Sequence, residues 1–188
     1  MIVSMSAKLT VLAGPTAVGK GTVVARLREL YPNLYVSISA TTRNPRPGEE
    51  DGKDYYFVNQ HRFDQLVRDG KMLEWAQVHG AHCYGTPAEP VDNALSEGRA
   101  VLVEIDLAGA RQIRQKRPDA QLVFLLPPSW EELVSRLRGR GTEDELEQTR
   151  RLQTAKVELA AADEFDVQIV NDEVNTAVSK LASVMGLA

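Results

Sequence analysis

The sequence has one cysteine, no long run of apolar residues and fewer basic than acidic residues. Cys83 is the one cysteine, so no disulfide forms within the chain, and we expect a reducing compartment, the cytoplasm. The longest apolar runs, at 100–103 and 122–126, are far shorter than the roughly 20 residues that a membrane helix needs. Residues 1–8 lack the charged start and the apolar stretch of a signal peptide. We interpret them as a loose arm in which Met5 could be the true start.

Negative charge outnumbers positive charge. The chain has 22 Lys and Arg against 26 Asp and Glu, a formal net charge of −4, and a pI near 5.5. Sequence-independent binding of nucleic acid depends on an excess of basic residues, so we expect neither a nucleic-acid partner nor a membrane partner. The 188 residues, 43% of them hydrophobic, are enough for one domain with an ordinary core.

Apolar, β-rich runs alternate with helical patterns along the chain. We predict strands at Leu9–Ala13, 36–39, 101–105, 122–126 and Val167–Val170, separated by helical stretches. This alternation is typical of an α/β fold in which helices flank a parallel sheet, and it predicts a five-stranded core sheet.

Two regions depart from this alternation. Residues 40–85 contain turn residues such as Pro45, Pro47 and Gly48 and an aromatic run at 55–57, which predicts an inserted lobe. Residues 139–151 begin with a Gly-Arg-Gly turn and continue into a polar run, a pattern that suits a mobile lid.

Two helix starts have explicit signals. Thr86 and Ser129 each place a hydroxyl three residues before a Glu, as in a capping box, so each is predicted to cap the N-terminus of a helix. Gly98 is predicted to end the helix that follows Thr86.

The strongest motif follows the first predicted strand and opens a helix. Its glycines let successive backbone N–H groups surround an anion, the helix N-terminus adds positive potential, and Lys20 reaches the β- and γ-phosphates. The alternative is a Gly-rich turn with a surface lysine, but the order of strand, loop and helix favours a phosphate-binding loop. The loop comprises Gly14, Pro15, Thr16, Ala17, Val18, Gly19, Lys20, Gly21 and Thr22.

Carboxylates end the predicted strand 101–105. In open parallel α/β sheets, ligands bind at the carboxyl ends of the strands, so Asp106 is a candidate to orient Mg²⁺ and its waters. The alternative is that an acidic residue simply terminates the strand. Together with the phosphate-binding loop, Glu104 and Asp106 favour a nucleoside triphosphatase or a kinase.

Further blocks suggest the acceptor. The first reads Ser39-Ala40-Thr41-Thr42-Arg43-Asn44-Pro45-Arg46-Pro47-Gly48-Glu49 and then Gly52-Lys53-Asp54-Tyr55-Tyr56-Phe57. Others are Leu73-Glu74-Trp75, Tyr84-Gly85-Thr86, Glu104-Ile105-Asp106-Leu107-Ala108-Gly109, Pro127-Pro128-Ser129, Arg136, Gly139-Arg140-Gly141-Thr142-Glu143 and Val170-Asn171. The set closely resembles the guanylate kinases over nearly the whole chain, and the first block resembles their GMP-binding signature.

The resemblance implies a site for the acceptor phosphate. Arg43, Arg46 and Tyr55 should hold the 5′-phosphate of GMP, with Tyr84 assisting. Guanidinium forks and phenolic hydroxyls suit a dianion. Each of these residues also has a simpler explanation, because isolated arginines are usually solvated and isolated tyrosines commonly just pack.

The resemblance also implies a site for the base. Glu74 should accept hydrogen bonds from guanine N1–H and the 2-amino group, while Ser39 and Thr86 meet the carbonyl side of the base, beside Gly85. Adenine offers neither donor, and sites built on such hydrogen bonds reject an analogue by roughly 10⁴-fold. Glu104 and Asp106 should contact the acceptor and the Mg²⁺ shell.

Catalytic and donor-binding residues follow from the same resemblance. Asn171 should touch the donor adenine, and the loop 14–22 should hold the ATP phosphates. Lys20 and the arginines should stabilise charge on the transferring group. The catalytic residues implied are Lys20, Arg43, Arg136, Arg140 and Arg151.

This chain departs from the family at Gly21, where guanylate kinases usually carry a Ser or Thr hydroxyl that can ligate Mg²⁺. A water can fill that position, ordered by Asp106 and the donor phosphates. The Gly21-Thr22 pair resembles adenylate kinases, where Gly also follows the lysine, so we expect an active enzyme in which Thr22 binds the α-phosphate.

His79, His82 and Cys83 form a small cluster in the sequence. No fourth ligand follows at zinc-like spacing. We therefore favour a structural role for this cluster.

We predict a phosphate-loop guanylate kinase that transfers the γ-phosphoryl group of ATP to GMP or dGMP with Mg²⁺, in purine nucleotide metabolism. Its core should cover 8–38, 99–138 and 152–186, its GMP-binding lobe 39–98 and its lid 139–151. One alternative is a kinase-like binding module that recognises peptides, against which Lys20 argues. Another is a small kinase acting on a sugar phosphate, against which Glu74 and Ser39 argue. The sequence leaves open whether the chain is a monomer or a homo-oligomer.

Overall fold

The computed structural model describes residues 8–78, 80–139 and 144–188, so the N-terminal arm 1–7, with Met5, lies outside the described residues. The strands are β1 (Leu9–Ala13), β2 (Tyr35–Val36), β3 (Ala40–Thr41), β4 (Tyr56–Phe57), β5 (Met72–Val78), β6 (His82–Pro87), β7 (Val101–Glu104), β8 (Gln121–Leu126) and β9 (Val167–Val170). The helices are α1 (Lys20–Leu30), α2 (Gln60–Arg68), α3 (Ala88–Ser96), α4 (Leu107–Lys116), α5 (Trp130–Gly139), α6 (Glu145–Ala160) and α7 (Val174–Val184), with a short 3₁₀ helix at Ala162–Glu164. None of the described helices is long and apolar enough to cross a membrane.

The central sheet has five strands in the order β2-β7-β1-β8-β9, and every neighbouring pair is parallel. The predicted parallel core sheet is therefore confirmed. Its second strand covers Tyr35–Val36 instead of 36–39. The backbone N–H of Ser37 still donates to Leu102 of this sheet at 2.9 Å, whereas the carbonyl of Ser39 already accepts from Tyr56 at 2.9 Å. The chain thus changes sheets within residues 37–39.

Helices cover both faces of the central sheet because its strands are apolar on both sides. Side chains alternate across a strand, so Val11 and Leu12 of β1 enter different cores. One core joins the sheet to α1, α5, α6 and α7, and the other joins it to α3 and α4. Burying a side chain of this size stabilises a fold by about 1.5–3 kcal/mol, so these two cores fix the frame that carries the loops.

A second, four-stranded sheet has the order β4-β3-β6-β5. The predicted lobe 39–98 contains this sheet, but α3, which the same segment includes, packs against the central sheet through Val91 and Ala94. The division into core, lobe and lid stays a prediction. A small separate core, which joins the second sheet to α2, is formed by Ala40, Phe63, Met72 and Cys83.

Cys83 packs inside this small core, where it is 5% exposed, and Gln60 Nε2 donates to its sulfur at 3.7 Å. His82 is exposed, and His79 lies outside the described residues. Across the described parts of the chain, no group of three or more His, Cys, Asp and Glu side chains is placed to hold a metal ion directly.

The helix signals had mixed outcomes. Ser129 Oγ accepts a hydrogen bond from the Glu132 N–H at 3.1 Å, which confirms this N-cap. The same prediction for Thr86 is wrong, because its hydroxyl donates to Glu74 at 2.7 Å and α3 begins at Ala88 without a side-chain cap. A buried carboxylate competes strongly for a hydroxyl donor. Gly98 ends α3 as predicted, with φ 76° and its N–H donating to Leu95 at 3.0 Å.

Helix α4 holds the edge of the second sheet. The backbone N–H of Trp75 donates to Gln112 Oε1 at 3.1 Å, and Gln112 Nε2 donates to the Trp75 carbonyl at 3.0 Å. Lys116 Nζ donates to the Met72 carbonyl at 2.8 Å. The edge strand β5 thus has its outer backbone groups satisfied by side chains of the core.

Candidate active site

The predicted phosphate-binding loop connects β1 to α1, as the order of motifs requires. Ala17 and Gly19 have φ of 68° and 98°, in the left-handed region that lets a loop turn consecutive N–H groups inward. Gly14 admits no side chain, because a Cβ there would lie 2.6 Å from the Leu125 carbonyl oxygen. A Cβ at Gly19 would lie 2.6 Å from the amide nitrogen of Asn171. The loop therefore needs both glycines for space.

Lys20 begins α1 and folds back over the loop. Its ammonium donates to the carbonyl oxygens of Gly14 at 2.5 Å and Pro15 at 3.3 Å. The positive charge is thus held at the loop, where the N–H groups and the helix N-terminus also attract an anion.

Glu104 at the end of β7 and Asp106 just after it bring two carboxylates to this edge of the sheet. Glu104 remains solvent-accessible in the cleft, yet the surrounding walls desolvate it enough to raise its pKa, an effect that the Lys20 ammonium opposes. Asp106 caps α4, with Oδ1 accepting from the Gly109 N–H at 2.8 Å. Asp106 therefore also fits the simpler alternative, in which an acidic residue ends the strand.

Glu158 of α6 is a third carboxylate at the loop, and sequence reasoning missed it. Burial is the largest cause of its raised pKa, the Lys20 charge lowers it, and Asp106 raises it. Its Oε2 is buried and, among the described residues, has no hydrogen-bond partner. The signal that could have found it is helical spacing, because Arg151, Ala155 and Glu158 fall on one face of α6.

Asn171 and Arg136 bind the back of the loop. Asn171 is 3% exposed, and its Nδ2 donates to the Val18 carbonyl at 2.8 Å. Its Oδ1 is buried without a partner among the described residues, so an acceptor is available at this position. Arg136 Nη1 donates to the carbonyls of Val18 and Asn171, both at 3.3 Å, and its Nε donates to Glu132 at 2.9 Å.

The two other predicted arginines come from the segment 139–151 that the sequence predicts to be a lid. Arg151 lies on α6, where its Nε pairs with Glu147 Oε1 at 3.2 Å. Arg140 lies outside the described residues. The structure thus brings Lys20 and Arg136 to the loop and leaves Arg151 about two helical turns from Glu158 on α6.

The predicted acceptor-phosphate residues come together at one end of the second sheet. The Arg43 guanidinium lies 5.2 Å from the centre of the Tyr55 ring, and Tyr55 meets Tyr84 edge-on at 6.1 Å. Glu49 binds Arg43 through two hydrogen bonds of 2.9 and 3.0 Å. Arg46 is exposed beside them. This group presents two guanidinium charges and two phenols, the chemistry that suits a phosphate.

The predicted base-binding residues are buried across β5 and β6. Glu74, 5% exposed, accepts a hydrogen bond from Thr86 Oγ1 at 2.7 Å. Desolvation raises the pKa of Glu74 to about 7, helped by the charge of Asp106, while the Thr86 hydroxyl and Lys116 oppose the shift. A charged carboxylate in such a desolvated site lowers the stability of the fold until a ligand donates hydrogen bonds to it.

Gly85 lies on β6 beside Glu74, and Ser39 precedes β3 of the same sheet. A Cβ at Gly85 would lie 2.8 Å from the Glu74 carbonyl oxygen, so this close pairing of β5 and β6 requires glycine. Ser39 lies between the two sheets, just before β3. A cleft of about 310 Å³ opens beside it, lined by Gly21, Ser37, Lys53 and Glu104 among others.

Asp106 links the two halves of the site. Its charge raises the pKa of Glu74 on the base side and the pKa of Glu158 on the loop side. Asp106 therefore lies within electrostatic reach of both the base-binding carboxylate and the phosphate-binding loop, as expected for one site that holds two ligands.

Comparisons with known sequences find relatives along nearly the whole chain. A family model described as guanylate kinase matches residues 6–187. The chain is similar to a guanylate kinase from Leifsonia xyli subsp. xyli, 60% identical over 177 residues that cover 94% of this chain and 70% of that one. It is also similar to one from Corynebacterium jeikeium, 55% identical over 181 residues that cover 96% of each chain.

Solved structures give the same result for the fold. The crystal structure of guanylate kinase from Anaplasma phagocytophilum matches with a TM-score of 0.73 and 30% identity, covering 96% of this chain and 85% of that one. A shikimate kinase from Bacteroides thetaiotaomicron matches with a TM-score of 0.52 and 14% identity, which shows the fold alone. The predicted α/β phosphate-loop kinase fold is confirmed.

The raised pKa of Glu74 predicts that the stability of the ligand-free protein depends on pH. Between the usual pKa of 4.5 and the folded value of about 7, the folded state binds more protons than the unfolded state, so stability falls as pH rises. We expect Glu74→Gln to be more stable than the parent by about 1–3 kcal/mol at pH 8, and close to it at pH 4.5. Urea unfolding at both pH values measures this, with the exposed Glu89→Gln as control. An equal or lower stability of Glu74→Gln at pH 8 would contradict it.

Proposed function

This chain belongs to the guanylate kinase family and transfers a phosphoryl group from ATP to GMP, and we propose that its two facing half-sites perform the transfer as follows. The observation that carries this proposal is the buried Glu74–Thr86 pair, set across Asp106 from a lysine-bearing phosphate loop. A carboxylate with an adjacent hydroxyl suits the edge of guanine, and the loop suits a triphosphate.

The donor side is the loop 14–22. Its N–H groups would surround the phosphates of ATP, Lys20 would reach the β- and γ-phosphates, and Thr22 would bind the α-phosphate. The buried Oδ1 of Asn171 is an acceptor suited to the amino group of adenine. In that pose Asn171 holds the loop with one end of its carboxamide and the donor base with the other.

The acceptor side is the second sheet. Glu74 would accept hydrogen bonds from N1–H and the 2-amino group of guanine, with Ser39, Gly85 and Thr86 along the base. Arg43, Arg46, Tyr55 and Tyr84 would hold the 5′-phosphate of GMP or dGMP, and Glu104 would contact the acceptor from β7. The lobe 39–98 and the lid 139–151 would close over both nucleotides.

Transfer needs no general base, because the acceptor phosphate is already ionised. One of its oxygens forms a bond to the γ-phosphorus of ATP while the bond from that phosphorus to the bridging oxygen of ADP breaks. Lys20 would neutralise charge on the donor, while Arg43, Arg136, Arg140 and Arg151 would stabilise charge on the transferring group. Closure would expel water from the reacting atoms.

We propose Mg²⁺ as the cofactor, with Asp106 holding it through water. The residues present fit this role: Glu104 and Glu158 both lie within electrostatic reach of the Lys20 ammonium, Asp106 lies within reach of Glu158, and the Glu158 Oε2 is buried without a partner among the described residues. The donor set fits water-mediated binding, because direct ligands do not cluster in the described parts of the chain. When bound, the ion neutralises charge on the β- and γ-oxygens.

We further propose that the chain works in the cytoplasm on nucleotides of purine metabolism, without a nucleic-acid partner. Its single cysteine and its net charge of −4 support this proposal.

A coupled assay of acceptors tests the function and the role of Glu74. The parent should phosphorylate GMP and leave AMP and sugar phosphates unused. In Glu74→Gln a neutral amide offers one acceptor oxygen where the carboxylate offers two, so the KM for GMP should rise roughly tenfold or more while that for ATP stays unchanged. Glu89→Gln is the control. Equal losses for both nucleotides would mean that Glu74 is structural.

Replacing Lys20 should abolish most of the activity without unfolding the protein. Lys20→Met removes a charge that acts on the donor phosphates, and such a loss lowers the rate by about 10²–10³-fold. The exposed Lys180→Met serves as control. Near-normal turnover by a Lys20→Met protein with the parent's circular dichroism would defeat the assignment.

Gly21 can accept a side chain, because a Cβ at this position meets nothing within 4 Å. We expect Gly21→Ser to lower the free Mg²⁺ concentration needed for half-maximal rate several-fold and to strengthen the Mg²⁺ dependence of ADP binding in calorimetry, since a hydroxyl replaces a water. Gly21→Ala adds the same Cβ without the hydroxyl and should behave like the parent. Superimposable curves of activity against free Mg²⁺ for all three proteins would show that a side chain at position 21 does not ligate Mg²⁺.

A further inference from the structure

The carboxylate of Glu49 binds the guanidinium of Arg43 end-on. Arg43 Nη1 donates to Oε2 at 2.9 Å, and Nη2 donates to Oε1 at 3.0 Å. The two side chains are 12% and 21% exposed, so the pair is largely shielded from water. Its hydrogen bonds to Arg43 and to the Arg46 amide hold the pKa of Glu49 at about 2, so the carboxylate stays charged at any physiological pH.

The N–H donors of Arg43 that Glu49 and Asn44 do not use lie on one edge of the guanidinium. A guanidinium has five N–H groups. Nη1 uses its two on Glu49 and on the Asn44 carbonyl at 2.9 Å, and Nη2 uses one on Glu49. The other two, at Nε and Nη2, lie side by side on the neighbouring edge, which shares Nη2 with the edge that Glu49 binds, and they form a fork that matches two oxygens of a phosphate. The Tyr84 hydroxyl is also within hydrogen-bonding range of this guanidinium.

Aromatic rings restrict the faces of the same guanidinium. Arg43 lies 5.2 Å from the ring centre of Tyr55 and 5.9 Å from that of Phe57. With one edge held by Glu49 and its faces near two rings, the side chain has lost most of its rotational freedom before any ligand arrives.

Glu49 also fixes the turn that carries Arg46. The Arg46 N–H donates to Glu49 Oε2 at 2.7 Å, and the Glu49 N–H donates to the Arg46 carbonyl at 3.0 Å. A single carboxylate therefore sets the position of one arginine through its side chain and of the other through its backbone.

We propose that Glu49 is a positioning residue of the acceptor site, which holds the Nε–Nη2 fork of Arg43 and the turn of Arg46 ready for the dianionic phosphate monoester of the nucleotide. The inference rests on the proposed function, in which both arginines bind that phosphate. Glu49 also reduces the charge of the three side chains from +2 to +1, which favours exchange of acceptor and product over permanent capture of anions.

Loss of the carboxylate has two opposing effects on phosphate binding. Repulsion between Glu49 and the phosphate falls, but Arg43 loses its fixed orientation. The charge of Glu49 is already paired with the Arg43 guanidinium through two hydrogen bonds, so its repulsion of a phosphate on the neighbouring edge is the smaller effect. The cost of ordering Arg43 at the moment of binding is the larger one.

Glu49→Gln should therefore raise both the Kd and the KM for GMP about tenfold, the size typical when the partner that orients a ligand-binding side chain is removed. The KM for ATP should not change, and kcat at saturating GMP should fall less than about threefold. The neighbouring Glu50→Gln is the matched control, because that side chain is exposed and pairs only with Lys53 at 3.3 Å among the ion pairs of the described residues. If Glu49 were merely structural, Glu49→Gln would change the KM for GMP, the KM for ATP and the melting temperature together.

A double-mutant cycle shows whether Glu49 acts through Arg43. Once Arg43→Ala has removed the fork, adding Glu49→Gln should weaken GMP binding less than twofold further, because coupled residues are not additive. Independent, multiplying losses would overturn the proposal, as would unchanged GMP binding by Glu49→Gln. Glu49→Asp keeps the charge but is too short to reach both partners, and it should weaken GMP in the same direction if Glu49→Gln fails to fold. A parent protein that prefers another acceptor to GMP would refute the proposed function instead.

Discussion

A loop that turns its N–H groups toward an anion must turn its carbonyl groups the other way, and those carbonyls need donors. Here the donors come from the rest of the site. The Val18 carbonyl accepts from Asn171 Nδ2 at 2.8 Å and from Arg136 Nη1 at 3.3 Å. The carbonyls of Gly14 and Pro15 accept from Lys20. The end of β9, the helix α5 and the start of α1 are therefore all fixed to one loop, because unpaired buried carbonyls would be costly.

The residues of the site carry charges of both signs, and α6 contributes one of each, Glu158 and Arg151. The central sheet and α6 bring carboxylates to the loop, of which Glu104 and Glu158 have raised pKa values from burial. The turn 43–49 and α6 bring the arginines that would neutralise transferred phosphate. Without bound nucleotides, these buried carboxylates lower the stability of the fold. Such a loss at a functional site is the usual trade between stability and function. Bound nucleotides with their counter-charges would relieve the repulsion.

The elements that local sequence determines were predicted well. β1 and β9 have the predicted bounds, and Ser129 and Gly98 act at helix ends as their residue types suggest. Thr86 failed as a cap because Glu74, twelve residues earlier, takes its hydroxyl through the pairing of β5 and β6. Glu158 escaped prediction for the same kind of reason: only the packing of α6 brings it to the loop. The roles of the site residues stay predictions, because family membership does not test single side chains.

Helix α4 decides which part of the acceptor site can move. Asp106 caps its first turn beside the phosphate loop, and from its later turns Gln112 and Lys116 bind the backbone of β5, the strand that carries Glu74. One rigid helix thus connects the catalytic edge of the central sheet to the base-binding strand, and it holds them at a fixed separation. The arginines that we propose for the acceptor phosphate lie away from β5, in a turn next to β3. Motion of the lobe should therefore pivot near the base end and move chiefly the phosphate end. In the proposed complex, such a motion would bring the acceptor phosphate toward the donor while the guanine contacts stay in place.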